Sequence, residues 1–279
     1  MARADGTSRP HTAAGWLASL LVFFIGAVYV CTWWGLGIAW ARLWLPPILA
    51  RSWGGISRAV RRWEGDSFWR WLLTQYMIAL VPVVICAVLG RKPRDLGLGR
   101  FNVLGWRLIA VSVVLSIPFG LLIIWSDPGS IPLPQTWSEA ASYSGRLLAI
   151  VPEHVLVCGL FVALMLPDRR LPARVPVAAV NGAWRRRALR WLGLAQPVEG
   201  SRVLAWFGLT GTSLVAVVTS GILFWLAHLG KPNIMEVSLS LPGGVAVAYV
   251  TLRTGSVWPA IIAHFTMNLI PGGIAMLFG

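Results

Sequence analysis

The stretch from Val257 to Phe278 reads VWPAIIAHFTMNLIPGGIAMLF and contains no charged residue. A helix of this length rises ~33 Å, which is enough to cross the ~30 Å hydrocarbon core of a bilayer. The stretch therefore predicts a transmembrane helix. Its polar members His264 and Asn268 are functional candidates, because polar groups are costly inside a membrane span.

Other apolar runs of similar character precede this stretch. They lie at about 16–38, 71–89, 108–125, 147–166 and 203–227, and one more ends near Leu252. The chain has 279 residues, of which 57% are hydrophobic and 12% charged, whereas soluble domains carry about 25% charged residues. We predict an all-α fold, a polytopic transmembrane helical bundle of about seven spans plus interfacial helices. Three scattered cysteines predict no disulfide framework.

The segments between the runs carry most of the net charge of +14. Segment 40–70 is rich in Trp and Arg and predicts an interfacial helix, whereas 127–144 is a proline-rich loop. Segment 167–202 holds eight Arg and predicts a basic arm on the membrane surface. Segment 230–244 predicts irregular backbone, which at membrane depth must be buried in protein or line a cavity. We expect anionic lipid, and not nucleic acid, as the partner of these charges.

The basic residues also predict an orientation. With seven spans, 16 Lys and Arg fall on the N-terminal side of the membrane and 8 on the other. The positive-inside rule then puts the N-terminus in the cytoplasm, although the six Arg between the first two runs argue the other way. We expect an integral, multi-pass protein of a prokaryotic plasma (inner) membrane.

Three apolar runs carry ionisable residues that could perform chemistry. They are Glu153 with His154 in the fourth run, His228 at the end of the fifth, and His264 in the last. A carboxylate and two imidazoles can activate a water molecule, and the same set could hold zinc. Residues four apart share a helix face. Three such pairs are His154 with Cys158, Phe224 with His228, and His264 with Asn268.

These residues resemble the motifs of the CPBP family of intramembrane proteases, which includes the CAAX-processing endopeptidases. The family's motifs are Glu-Glu-x-x-x-Arg, Phe-x-x-x-His and His-x-x-x-Asn, in that order. The matching stretches are Glu153-His154-Val-Leu-Val-Cys158, Phe224-Trp-Leu-Ala-His228 and His264-Phe-Thr-Met-Asn268, and the stretch from Leu252 to Ala263 is similar to the usual lead-in to the third motif. The resemblance covers about 147–279, which we treat as a catalytic core with the basic insertion at 167–202. Residues 1–146 form a region of N-terminal membrane helices with the basic interfacial segment.

The resemblance implies an intramembrane endopeptidase that acts on a membrane-anchored or lipidated protein. Glu153 would activate the water, while His228, His264 and Asn268 would position it and stabilise the oxyanion. We expect Phe224 to line the substrate site. The resemblance implies no obligatory metal; zinc held by Glu153, His228 and His264 is the alternative.

Two departures from the family pattern leave other readings open. His154 stands where the family has its second Glu, and Cys158 stands where it has Arg. With His154 or His228 as its base, Cys158 could be the nucleophile of a protein-sorting thiol protease or transpeptidase. A non-catalytic membrane scaffold or immunity protein is a further reading, and a transporter or proton relay is another.

The depths of the candidates in the membrane create a difficulty for this site. At 1.5 Å per residue, Glu153 lies ~9 Å from one face and His264 ~10 Å from the other. In a core of ~30 Å this leaves them ~10 Å apart in depth. Tilted helices or a re-entrant 230–244 segment would have to close the gap.

Overall fold

The computed structural model describes residues 67–88, 90–126, 147–166, 207–209, 211–228 and 234–278, with isolated positions 47, 59, 62, 63, 171, 187, 191 and 192. The predicted first run at 16–38 and the loop at 127–144 lie outside these residues. The interfacial segment 40–70 and the basic arm 167–202 lie almost entirely outside them.

The described part of the chain is all-helical. Its long helices are α1 Phe68–Val88, α2 Val103–Ser126, α3 Ile150–Met165, α4 Gly211–His228, α5 Ile234–Thr254 and α6 Trp258–Phe278. A short 3₁₀ helix, Pro93–Leu96, lies between α1 and α2. Because length and hydropathy are local properties, four of these helices follow the predicted runs. Helix α4 starts later than predicted, after a turn at Phe207 and Gly208, and α5 starts earlier than predicted.

Two of the described helices are long and apolar enough to cross a membrane. They are α1, with a mean hydropathy of 2.1, and α4, with a mean hydropathy of 1.5. Shorter apolar stretches lie in α2, α3 and α6. Large apolar side chains on α1 and α2 point away from the protein, including Leu73, Val84, Val114 and Leu121. Such surfaces suit contact with lipid. The count of seven spans remains a prediction.

Helix α3 is the centre of the described bundle. It contacts α1, α4, α5 and α6, and its residues from Leu156 to Ala163 are buried. It is α-helical over Ile150–His154, π-helical over Val155–Leu160 and α-helical again over Phe161–Met165. A π-helical turn widens the helix and is common at functional sites.

Contacts from two other elements surround the π-helical turn. The Ser220 hydroxyl of α4 donates a 2.7 Å hydrogen bond to the Val157 carbonyl. On the other side, a Cβ atom at Gly159 would lie 2.7 Å from the Leu96 carbonyl oxygen. Glycine is therefore required where the 3₁₀ helix meets α3.

The prediction of irregular backbone at 230–244 is wrong for residues 234–244, which are helical and form the first half of α5. Pro242 and its two following glycines predict a break, but tertiary packing overrides them. A Cβ atom at Gly244 would lie 2.7 Å from Phe224 Cβ, and one at Gly221 would lie 2.9 Å from the Val245 nitrogen. The small residues thus let α4 and α5 approach closely, as at other membrane helix interfaces.

The turn predicted from Arg253 to Ser256 begins two residues later, at Gly255. Arg253 and Thr254 complete the last turn of α5, and Gly255 turns the chain with a φ of 67°. Arg253 is buried, with 2% of its surface exposed. The Ser256 hydroxyl donates to the Gly99 carbonyl at 2.8 Å, which ties the turn to the segment before α2.

Candidate active site

Glu153 and His154 lie at the point where α3 changes from α to π geometry. Both side chains are buried, with 6% of Glu153 and none of His154 exposed. Glu153, His154 and His264 each offer one ligand atom within 4.8 Å of the others. The offset of ~10 Å in depth estimated from helix rise is therefore wrong for the side-chain groups. Packing of α3 against α6 brings them together.

The two imidazoles of this group face each other. His154 Nε2 lies 3.4 Å from His264 Nδ1, and the ring centroids are 4.9 Å apart. On the other side of its ring, His154 Nδ1 lies 3.1 Å from the Ile150 carbonyl oxygen. Both ring nitrogens of His154 therefore have a neighbour at hydrogen-bonding distance.

Phe224 joins His228 to this pair. Its ring stacks on His228 with centroids 4.5 Å apart and also contacts the rings of His154 at 5.7 Å and His264 at 5.8 Å. His228 Nδ1 lies 2.7 Å from the Phe224 carbonyl oxygen. The close approach of Gly244 to Phe224 packs this aromatic ring against α5.

These contacts determine the proton positions on the neutral rings. A carbonyl oxygen only accepts, so His154 and His228 must each carry their proton on Nδ1. His154 Nε2 is then an acceptor, and His264 must donate to it from Nδ1. In this state His228 and His264 each have a lone pair on Nε2.

Asn268 lies one turn after His264 on α6. Its amide nitrogen donates to the His264 carbonyl at 2.9 Å, and its side chain is partly buried. The amide also has a second N–H group and a carbonyl oxygen.

Cys158 lies inside the π-helical turn and is fully buried in an apolar cluster with Leu156, Leu160 and Phe161. The nitrogens of His154, one of the two histidines proposed as its base, face Ile150 and His264 instead. The geometry therefore favours Glu153 over Cys158 as the reactive group.

The group with metal-ligand spacing differs from the one named in the zinc alternative. The alternative joins Glu153 with His228 and His264, whereas the structure brings Glu153 together with His154 and His264. The resemblance presents His154 as a departure from the family pattern. Its position next to Glu153 in an apolar run was the available signal.

The comparisons with known proteins agree with the motif resemblance. The family model described as "Type II CAAX prenyl endopeptidase Rce1-like" matches residues 42–270. This range extends well before the motif-bearing core and confirms the CAAX protease-like resemblance. No curated protein and no solved structure matches the chain. The family is membrane-embedded and acts on membrane-anchored or prenylated proteins. Because the match covers most of the chain, the protein belongs to the Rce1-like family of type II CAAX prenyl endopeptidases.

Proposed function

We propose that this protein is an intramembrane endopeptidase that hydrolyses a peptide bond in a membrane-anchored or lipidated protein. One observation carries the proposal. Glu153 is buried, and its carboxylate lies close to the imidazoles of His154 on α3 and His264 on α6. One ligand atom from each of these three residues lies within 4.8 Å of the other two. A carboxylate in such surroundings can accept a proton from water, because low polarity strengthens its hydrogen bonds.

The proposed reaction begins with a water molecule held by Glu153. In their neutral state His228 and His264 accept hydrogen bonds through Nε2, so they can hold a hydrogen of this water and orient its oxygen. Glu153 takes the proton as the oxygen attacks the peptide carbonyl carbon, and later gives it to the leaving amine.

The developing oxyanion needs hydrogen-bond donors. The side-chain amide of Asn268, which has two N–H groups and donates one bond to the His264 carbonyl, is one source of such a bond. Phe224 lines the site for the substrate and packs against the rings that hold the water.

The Glu153→Gln variant tests the proposal directly. We expect the rate to fall about 1,000-fold, within the range that general acid–base catalysis contributes, because the amide cannot take the water's proton. The measurement is cleavage of an internally quenched peptide with a prenylated C-terminal Cys-a-a-X sequence. Thr251→Val is the matched control, since Thr251 is also buried and bonds the Val247 carbonyl within α5.

Two outcomes contradict the proposal. One is equal cleavage by Glu153→Gln and the wild-type protein. The other is the absence of cleavage with any membrane-anchored or prenylated peptide, which would favour the non-catalytic scaffold.

The proposed mechanism needs no metal, since the carboxylate and the rings do all the proton transfers. Treatment of the purified protein with a strong chelator should therefore leave the cleavage rate at or above its starting value. The measurement is the same peptide assay before and after metal removal, with metal content determined in parallel. A loss of activity that added zinc restores would contradict this part of the proposal.

A further inference from the structure

The π-helical turn of α3 begins directly after His154 and extends over Val155–Leu160. At its end the Phe161 N–H donates to the Leu156 carbonyl, five residues earlier. In an α-helix the same N–H would bond the carbonyl four residues earlier, which is that of Val157. The π-helical turn therefore removes the usual donor from the Val157 carbonyl.

A side chain of α4 supplies a replacement donor. The Ser220 hydroxyl donates to the Val157 carbonyl at 2.7 Å. Both residues are fully buried, so bulk solvent does not reach this bond. A buried carbonyl without a donor is unfavourable. The bond to Ser220 therefore stabilises π geometry relative to α geometry at this point of the helix.

The geometry of this turn decides where Glu153 and His154 point. A π-helical turn holds one residue more than an α-helical turn, and one residue corresponds to about 100° of rotation and ~1.5 Å of rise. The segment after the turn, Phe161–Met165, packs against α4 and α5. If the turn became α-helical, Glu153 and His154 would rotate relative to this segment by about that angle. Both side chains would then leave the face on which they meet His264.

We propose that Ser220 is a positioning residue for the site. Its hydrogen bond to the Val157 carbonyl stabilises the π-helical turn and so directs Glu153 and His154 towards His264. Ser220 acts through the backbone of α3 and not through contact with substrate. Its effect on cleavage rests on the proposed function, whereas its effect on the orientation of the two side chains does not.

The Ser220→Ala variant removes the donor with little loss of volume. We expect kcat to fall about 10- to 100-fold, because a small displacement of catalytic groups can cost 10²-fold. KM should stay within about twofold of the wild-type value, since the substrate contacts remain. The measurement is the peptide assay on the full chain in detergent. Ser220→Cys, whose thiol is a weak donor, should give an intermediate kcat.

Ser116→Ala is the matched control. Ser116 is also buried, with 1% of its surface exposed. Its hydroxyl also donates to a carbonyl at 2.7 Å, but this is the Val113 carbonyl of its own helix, α2. The control should leave kcat and KM unchanged. If Ser220 had only a structural role, the two alanine variants would have the same effect on kcat.

A second measurement uses no substrate. The chain has four histidines, so labelling with ¹⁵N-histidine gives few signals, and single His→Gln variants assign those of His154 and His264. These signals report the tautomers and the contact between the two rings. We expect Ser220→Ala to shift the signals of both rings, and Ser116→Ala to leave them in place.

Two results would overturn the inference. One is unchanged histidine signals in Ser220→Ala, whether or not the protein cleaves peptides. The other is a kcat of Ser220→Ala equal to that of the wild-type protein or to that of Ser116→Ala. A wild-type protein that cleaves no peptide, together with shifted histidine signals in Ser220→Ala, would contradict the proposed function and support the positioning role of Ser220.

Discussion

At the scale of single residues, the proton positions on the histidines decide which groups can act. His154 and His228 each donate from Nδ1 to a carbonyl one turn earlier in their own helix. These bonds cost little in folding, because they stay within a helix, yet they select one tautomer of each ring. His228 is thereby set to accept through Nε2, which suits the positioning of a water molecule. The departure at position 154 adds a second imidazole beside the carboxylate.

Cys158 provides the prediction at this scale. Its thiol is fully buried in an apolar cluster, so a substrate carbonyl has no path to it. Cys158→Ala should keep full cleavage activity and cost about 1 kcal/mol of stability for the lost volume. The peptide assay and thermal unfolding in detergent check this.

A loss of cleavage in Cys158→Ala with an unchanged unfolding temperature would support the thiol mechanism instead. Rapid alkylation of the thiol in the folded protein, accompanied by inactivation, would have the same meaning.

At the scale of elements, the site depends on glycines that bring helices together. Gly244 of α5 faces Phe224 of α4, and Gly159 of α3 faces the Leu96 carbonyl. The hydroxyl of Ser220 bonds the Val157 carbonyl in the π-helical turn. These contacts fix the positions of the helices that carry the candidate site residues. We therefore expect the site to be sensitive to changes in residues that do not touch substrate.

The neighbouring glycines of α5 make a matched pair of variants. A Cβ atom at Gly244 would lie 2.7 Å from Phe224 Cβ, whereas one at Gly243 meets nothing within 4 Å. Gly244→Ala should push Phe224 against the histidine rings, lower stability by about 1–3 kcal/mol and lower the cleavage rate. Gly243→Ala should raise stability by up to about 1 kcal/mol, because alanine favours the helix.

Thermal unfolding and the peptide assay on both variants check the pair. Equal effects of the two substitutions would contradict the proposed contact between α5 and Phe224.

At the scale of the whole molecule, many large apolar side chains on α1 and α2 face outwards, and most of the charged residues lie between the apolar runs. Exposed apolar side chains are favourable in contact with the lipid of a bilayer and unfavourable in contact with water. The distribution of Lys and Arg, 16 against 8, predicts a cytoplasmic N-terminus for seven spans.

The predicted seven spans are an odd number, so they put the two ends of the chain on opposite sides of the membrane. A phosphatase fused after Phe278 should therefore be active outside the cytoplasm, and a fluorescent protein fused before the first run should fluoresce inside it. Fusions in the loops before and after α2 give the intermediate positions. The same reporter active at both ends would contradict the seven-span prediction.

The helices and the candidate site residues can both be predicted from the sequence, for different reasons. Hydropathy is a local property, so the run from Val257 to Phe278 predicts α6 to within one residue. Ionisable residues in apolar runs are costly, so Glu153, His228 and His264 stood out without any knowledge of their contacts. The break predicted around Pro242 is wrong. The low helix propensity of glycine is a local property, whereas Gly244 lies where α5 packs closely against Phe224 of α4.

The sequence by itself determined that this protein is an all-helical chain suited to a bilayer, with a glutamate and histidines inside its apolar runs. Only the tertiary structure decided that His154 lies against His264 and Glu153. These rings are separated by 110 positions, and no local pattern records which faces of α3 and α6 pack together. Helix packing is set by the sum of many side-chain contacts between distant segments. The geometry of the site is therefore a property of the fold as a whole.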